Sequence, residues 1–530
     1  MDIADLHPAC TVPFADVALC LHPQDDVAIA KAALESGTML VSEPGHQVPS
    51  AIVVRGPIPS GHKLALRPVA ANEPVRRYGQ VIGFATRPIA AGEHVHTHNL
   101  GATDFGREYV FGADVQPVAM VPEDRRRTFL GYRRPDGRVG TRNFIAVISS
   151  VNCSAHATRE IAYHFTPERL VAFPNVDGVI ALTHHSGCSF PIDGPDHVLL
   201  QRTLAGMALH PNVGAYLLVG LGCETNECSA LVRKHDLERA TGVASPYPLG
   251  LLIQDHGGVR KTVQAGIAAV QELLPVVNGT PRTLQPVSEL MLALQCGGSD
   301  GWSGVTANPV VGLVADQVIR QGGTVLLGET PEIYGAEQLL LRRAVSPQVG
   351  QKLLAQVRWW EEYAQRMGFK IDNNPSPGNK AGGLTTIYEK SLGAIAKAGG
   401  TPLTGVYDYA ERVTARGFCF MDTPGNDWYA VTGQVAGGCN LVLFTTGRGS
   451  VFGFKPAPTI KICSNSAAYA RVSDDMDLNA GRVLEGEAIE VVAQELLELT
   501  VAVASGRASK SEAQGIGEAE FCPWSRWGVL

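Results

Sequence analysis

The chain is poor in charge for its length and has no apolar run fit to cross a bilayer. Only 18% of its 530 residues are charged, and 51 Asp and Glu against 44 Lys and Arg leave a net charge of −7. That balance argues against general affinity for nucleic acid or an anionic membrane, so an acidic ligand must be met by a local basic pocket. The longest tempting stretch, Thr203 to Cys223, is broken by His210, Pro211, Asn212 and several glycines. It reads as helix, turn and buried strand. Asp2 and Asp5 open the chain and Lys31 is its first Lys or Arg, which is unlike a secretory signal, so a cytoplasmic location is expected. No CxxC pair occurs, which disfavours a zinc ribbon. The 11 cysteines are odd in number and scattered, unlike a secreted disulfide framework.

What is present is the profile of a globular protein, with 45% hydrophobic residues and 58 glycines. The length calls for two or three domains. Short β-type runs (Val27 to Ala30, Ala51 to Val54, Lys63 to Leu66, Val81 to Ala85) alternate with turn signals such as Gly56-Pro57 and Ala91-Gly92, so residues 1–115 read as a small all-β domain. Residues 116–127, rich in Pro and Asp and ending in Arg125-Arg126-Arg127, read as a linker. Beyond it, strand-length apolar runs alternate with helical periodicity, predicting Rossmann-like parallel α/β domains over 128–285 and 286–530. The strand candidates are Phe144 to Ile148, Gly178 to Leu182, Ala215 to Val219, Leu290 to Leu294, Val325 to Leu327, Leu441 to Thr445 and Thr459 to Cys463. Helices are predicted over Ser154 to Phe165, His197 to Leu209, Val259 to Leu274, Val310 to Gln321, Pro347 to Met367 and Glu487 to Ser505.

The residues following these strands carry the chemistry. The first run leads to Cys153, the second to His184 and Cys188, the third to Gly222-Cys223-Glu224, the fourth to Cys296 and Asp300. Ligands of open parallel sheets bind beyond the carboxyl ends of the strands. Four consecutive strands are therefore expected to bring thiols, with His184, Glu224 and Asp300, to one edge as a bed for iron or another transition metal. A single free cysteine is more often a small buried hydrophobe; it is the repetition that favours a site. A second candidate is the stiff, proline-bearing loop from Asp372 to Lys380, whose Asn374, Asn379 and Lys380 suit carboxylate or hydroxyl groups. It lacks the Gly-Lys-Ser/Thr ending of a nucleotide loop. Thr446-Gly447-Arg448-Gly449 offers a guanidinium after a strand, and Lys461 is a basic residue in an apolar run. His94, His96 and His98 would share one face if that segment is extended, a metal-binding pattern or an ordinary β-edge.

With these segments together, the chain resembles the altronate and galactarate dehydratase family over nearly its whole length. The resemblance is carried by Gly61-His62-Lys63, Arg77-Tyr78-Gly79, Gly131-Tyr132-Arg133, Gly140-Thr141-Arg142-Asn143 and the four cysteine segments. Thr306 to Pro309, Asn374 to Lys380, Glu389-Lys390 and Thr446 to Gly449 add to it. It implies an N-terminal domain of the SAF (antifreeze-like β-clip) type followed by α/β domains, and a requirement for Fe2+ or a similar divalent metal such as Mn2+; a variant reading of the cysteines themselves is an iron–sulfur cluster, which three clustered thiolates could hold. His94 to Asn99 and Glu332 to Gln338 look more like the altronate branch; His185-Ser186 departs from the tyrosine the family often has there.

The activity implied is removal of water from a sugar acid, altronate first, to give a 2-keto-3-deoxy acid. The alternatives are another hydroxy-acid lyase, galactarate included, or a non-catalytic sugar-acid binding protein. Metal ligands are expected among Cys153, Cys188, Cys223, Cys296, His96 and His98. Proton transfer is expected from Lys380, Lys390, Glu224, Asp300 and His184, and substrate binding from His62, Lys63, Asn374, Asn379, Arg448 and Lys461. The expected partners are a small sugar acid and further copies of the chain, without nucleic acid or membrane.

Overall fold

The computed structural model describes residues 10–43, 48–237 and 247–526; Asp2 and Asp5 lie outside them. The N-terminal region is built from short strands in three small sheets, one of which pairs Val27–Ala30 with Lys63–Ala65 and that strand with His94–Val95. No helix among the described residues is long and apolar enough to cross a membrane.

Two parallel sheets follow. The first has β1 (Phe144–Ser149), β2 (Gly178–Leu182), β3 (Val213–Gly220) and β4 (Leu251–Leu252), in the spatial order β2-β1-β3-β4. The second comprises β5 (Met291–Cys296), β6 (Thr324–Leu327), β7 (Leu403–Tyr407), β8 (Gly417–Met421), β9 (Leu441–Thr446), β10 (Thr459–Cys463) and β11 (Leu478–Asn479). Its order is β7-β8-β6-β5-β9-β10-β11, and every pairing is parallel. The fourth apolar run of the sequence therefore opens a new sheet and does not extend the first. β7 and β8 were not expected: the connection 408–416 carries no helix, so the strand–helix alternation breaks there.

Helices fill the space around the sheets. α1 (Ala155–Tyr163) and α3 (Val259–Asn278) cover one face of the first sheet, while α2 (Pro195–Ala208) packs against α7 (Asp427–Ala436) between the two sheets. A Cβ on Gly206 of α2 would sit 2.3 Å from the carbonyl of Ala436, so only glycine permits this approach. α4 (Ala307–Arg320) and α8 (Ile489–Ala504) lie on the second sheet, and their core is continuous with that of the N-terminal β-region. α5 spans Pro347–Met367: Ser346 Oγ accepts from Val349 N–H, Pro347 opens the first turn and Gly368 ends the helix with φ 73°. α6 (Ile387–Ile395) supplies Glu389 and Lys390.

The β-region is fixed to the second sheet's loops by a buried charge triad. Lys63 Nζ lies 2.9 Å from both Glu389 carboxylate oxygens, and Arg77 Nη1 lies 2.5 Å from Oε1. Burial alone would raise the pKa of Glu389; Lys63 and then Arg77 outweigh it and hold the carboxyl at about 2. A Cβ on Gly301 or on Gly383 would stand 2.2 Å from the carbonyl of Gly61, so three backbones meet at this seam.

Candidate active site

Beyond the carboxyl end of β5 the chain passes to β6 on one side and later returns to β9 on the other, a topological switch point of the kind where ligands settle. Gly447 and Arg448 both donate their N–H to the carbonyl of Gly298 across this crevice. Arg448 is exposed, and its Cδ and the Cβ of Asp300 both flank Gly382. One residue earlier, Ala381 O lies 3.3 Å from Nε2 of His62, so the β-region brings its imidazoles to the same loop.

His62, His94 and His96 place their ligand atoms within 4.8 Å of one another. His62 Nδ1 is 3.0 Å from His94 Nε2, and the rings of His94 and His96 stack with centroids 5.4 Å apart. Burial, then the neighbouring imidazoles, pushes the pKa of His94 down to about 3; burial and Lys63 push His96 down to about 4. The rings are thus neutral. His96 Nδ1 is buried without a hydrogen-bond partner. Neutral imidazoles with a free ring nitrogen fit a divalent metal of intermediate softness. The segment is not one extended strand: it turns after Val95, where the Asn99 side chain accepts from His96 N–H and donates to His94 O. His98 is exposed beside His94, outside the group of three.

A second group lies deeper, at the ends of β5 and β6. Cys296, Glu329 and Glu332 are all buried with ligand atoms within 4.8 Å. Here the cations are already supplied by the chain: Lys397 Nζ is 2.9 Å from Cys296 Sγ, and Lys390 Nζ is 2.5 Å from Glu332 Oε1 and 2.9 Å from Asn374 Oδ1. Burial pushes the Cys296 thiol up to about 11. Burial and Glu332 raise Glu329 well above the carboxylate range, and push Asp427 up to about 6. Glu329 holds φ 66°, a strained value for a residue with a side chain.

The expectation of one cysteine-lined edge is corrected. Cys153, Cys188 and Cys223 follow three adjacent strands of the first sheet, whereas Cys296 ends a strand of the second and is buried with Lys397 and Glu332. Other residues are occupied structurally. His184 is buried, its Nε2 against Ser149 O and its Nδ1 accepting from Ser186 N–H, so neither nitrogen is free for proton transfer. Glu224 accepts from Ser150 Oγ and from the Leu221 and Gly222 amides, clamping its loop. Asp300 accepts from Trp302 and Ser303 amides and from Ser303, Ser464 and Asn465 side chains. Lys63 is fully buried, its ammonium held by Glu389 and by the carbonyl of Gly383. Asn379 belongs to a capping box with Ser376 over a short helix, Pro377–Ala381. Asn374 and Lys390 are bound within the deep pit, and Lys461 is buried on β10, where burial lowers its pKa against the opposing pull of Asp475 and Asp477. Lys380 and Arg448 remain open, and neither forms an ion pair among the described residues. His94, Glu329, Glu332, Lys397 and Asp427 were missed as site residues; His94 stood in the histidine run, but nothing in the sequence marks Lys397 or Asp427.

Three family models match in tandem: "Altronate/galactarate dehydratase SAF domain" over residues 16–103, "D-galactarate dehydratase/Altronate hydrolase, second domain" over 131–278, and "D-galactarate/Altronate dehydratase, C-terminal" over 287–529. An altronate dehydratase of Escherichia coli (strain K12) is 37% identical, covering 93% of this chain and 96% of the relative. One of Bacillus subtilis (strain 168) is 35% identical, covering 92% and 95%. The galactarate dehydratase (L-threo-forming) of Escherichia coli (strain K12) is 36% identical, covering 92% of each.

Proposed function

This chain belongs to the altronate/galactarate dehydratase family, and we propose on that footing that it is a hydro-lyase removing water from altronate at the seam between the β-region and the switch point of the second sheet. The observation that carries the location is the convergence of His62, His94 and His96 on the loop that also borders Arg448. These imidazoles would hold the divalent metal, Fe2+ first and Mn2+ second, which supplies Lewis-acid stabilisation of negative charge on the substrate.

The chain's own groups do the rest. Arg448 grips the carboxylate, for which its guanidinium is shaped. Lys380, on the same loop, accepts the proton from C2 as its free amine and becomes the ammonium. His98, exposed beside His94, gives a proton to the departing C3 hydroxyl, which leaves as water. The resulting C2–C3 enol tautomerises to the 2-keto-3-deoxy acid. Lys390 is set aside as the base because Glu332 and Asn374 already hold its ammonium.

The test is to load the protein with Fe2+ or Mn2+, offer altronate and galactarate separately, and follow 2-keto-acid formation. Fast turnover of altronate supports the reading. Turnover of galactarate alone moves the substrate assignment to the other branch, and no turnover of any acid removes it.

A further inference from the structure

Cys296 and Lys397 are a buried nucleophile and a buried cation that the dehydration scheme leaves unused. Their exposures are 2% and 1%, and Lys397 Nζ lies 2.9 Å from Cys296 Sγ. The other lysine of the pit, Lys390, is spent on Glu332 and Asn374, whereas the hydrogen bond of Lys397 goes to sulfur. The thiol also donates to Glu332 Oε2 at 3.7 Å. Among the described residues no other cysteine bonds to it, so a disulfide is not its ready oxidation product. Burial holds the thiol protonated, but Lys397 opposes that effect and Glu332 is placed to take the proton.

The backbone fixes the two atoms. Cys296 ends β5, and Lys397 sits in the short turn Ala396–Ala398 that follows α6. A Cβ on Gly312 of α4 would stand 2.2 Å from Ala396 O, and one on Gly399 would stand 2.3 Å from Asp316 Oδ1. α4 therefore clamps the turn on both sides of Lys397. A cavity of about 10 Å³ touches Cys296 and Lys390, room for one molecule of the size of water or dioxygen. Glu329 reaches within 4.8 Å of the thiol and keeps Oε1 buried without a hydrogen-bond partner. The pit thus holds an acceptor for a donor that the resting side chains do not supply.

We propose that dioxygen joins Lys397 to Cys296 through a single oxygen atom, forming an N–O–S cross-link. Single bonds through a bridging oxygen set nitrogen and sulfur at nearly their present separation. A direct sulfur–nitrogen bond would require the atoms to close far inside it, against the clamped turn. Sulfur and nitrogen each give two electrons to dioxygen; one of its atoms becomes the bridge and the other leaves as water. One S–H and two N–H bonds break while S–O and O–N bonds form. Of the three protons released from thiol and ammonium, two leave in the water and one passes to the Glu332 carboxylate. The remaining N–H is the donor that Glu329 Oε1 lacks.

The cross-link removes the Lys397 charge two residues from Gly298, whose carbonyl holds the Gly447 and Arg448 amides. Oxygen is thereby read at the crevice as weaker grip on the acid. This consequence rests on the function proposed above; the cross-link itself does not.

For the test, full-length protein loaded with Mn2+ is purified without oxygen and divided, one half then being held in air-saturated buffer. Both halves are alkylated in denaturant, digested with trypsin and mapped by mass spectrometry. The aerated half should yield peptides joined at Cys296 and Lys397, heavier than their sum by one oxygen less two hydrogens, with no cleavage after Lys397. Dithiothreitol supplies the four electrons that return thiol, amine and water, and should dissolve the join. Lys397→Arg keeps the cation and should leave Cys296 open to alkylation; the map of the unaltered protein decides the matter even if this variant fails to fold. Complete alkylation of Cys296 after aeration overturns the proposal, as does a Cys296 sulfinic acid beside a free Lys397, a join lacking the oxygen, or a join through Lys390. KM for altronate should rise on aeration and recover with dithiothreitol, and a constant KM in cross-linked protein overturns the link to Arg448. Because the map does not involve turnover, failure of the dehydratase assay and failure of the cross-link are distinguishable.

Discussion

The imidazole group and the deep pit are each three potential metal ligands gathered within 4.8 Å, yet their surroundings are opposite. Around His62, His94 and His96 no ring bonds to a carboxylate among the described residues, Glu389 acting on His62 and His96 only from its place in the triad; the rings are neutral and His96 Nδ1 lacks a partner. Around Cys296, Glu329 and Glu332 the chain has placed Lys390 and Lys397, so a metal entering there would have to displace ammonium groups already bonded to its ligands. Donor count is therefore a poor guide to a metal site. What distinguishes the two is whether the charge is already balanced.

Four experiments can break or sharpen this contrast. The largest effect is expected from Glu332→Gln, which leaves the buried Lys390 ammonium without its counter-charge and should cost about 3–5 kcal/mol of stability in denaturant titration. Its metal content should be unchanged; loss of bound metal would make the pit a metal centre and erase the distinction. Glu389 offers the same kind of buried, internally balanced carboxylate. Its folded pKa of about 2 lies below the ordinary 4.5, so its stabilising contribution is present above pH 4.5 and is lost as pH falls toward 2. The shift corresponds to roughly 3 kcal/mol. Glu389→Gln should remove it at neutral pH and flatten the acid limb of the unfolding curve.

Next comes His94→Ala, expected to lower metal affinity and kcat by on the order of 100-fold, with little change in melting temperature. Equal metal binding in this variant would sink the imidazole site. The smallest effect belongs to Arg448→Ala: the side chain is exposed, so stability should hold while KM for the acid rises about tenfold, equivalent to about 1.4 kcal/mol. A fall in kcat at constant KM would assign Arg448 to the reacting atoms instead of to the carboxylate.

Regular elements were legible wherever local pattern and local chemistry agree. α5 matches its predicted bounds because its proline start, serine cap and terminal glycine are all adjacent in the chain. Gly178–Leu182 and Thr459–Cys463 match because each is a short, mainly apolar run of strand length, the first half-buried at a sheet edge and the second fully buried even around Lys461. The pair β7 and β8 escaped because a parallel crossover without a helix has no periodic signature. The site was legible in its chemical types but less so in its partnerships. Lys63, Asn379 and His184 have the right functional groups, yet a buried ion pair, a helix cap and two backbone contacts had already consumed them.

By itself the sequence determined the family, the β-then-α/β order of the chain and the placing of reactive side chains just past strand ends, since each of these is written in contiguous residues. The tertiary structure alone decided that Cys296 parts from the other three cysteines, that His62 joins His94 and His96 from a separate strand, and that Lys63 and Arg77 close on Glu389 more than 300 positions away. The reason is that which strands share a sheet, and which charges share a desolvated space, depends on long-range packing that no local pattern encodes.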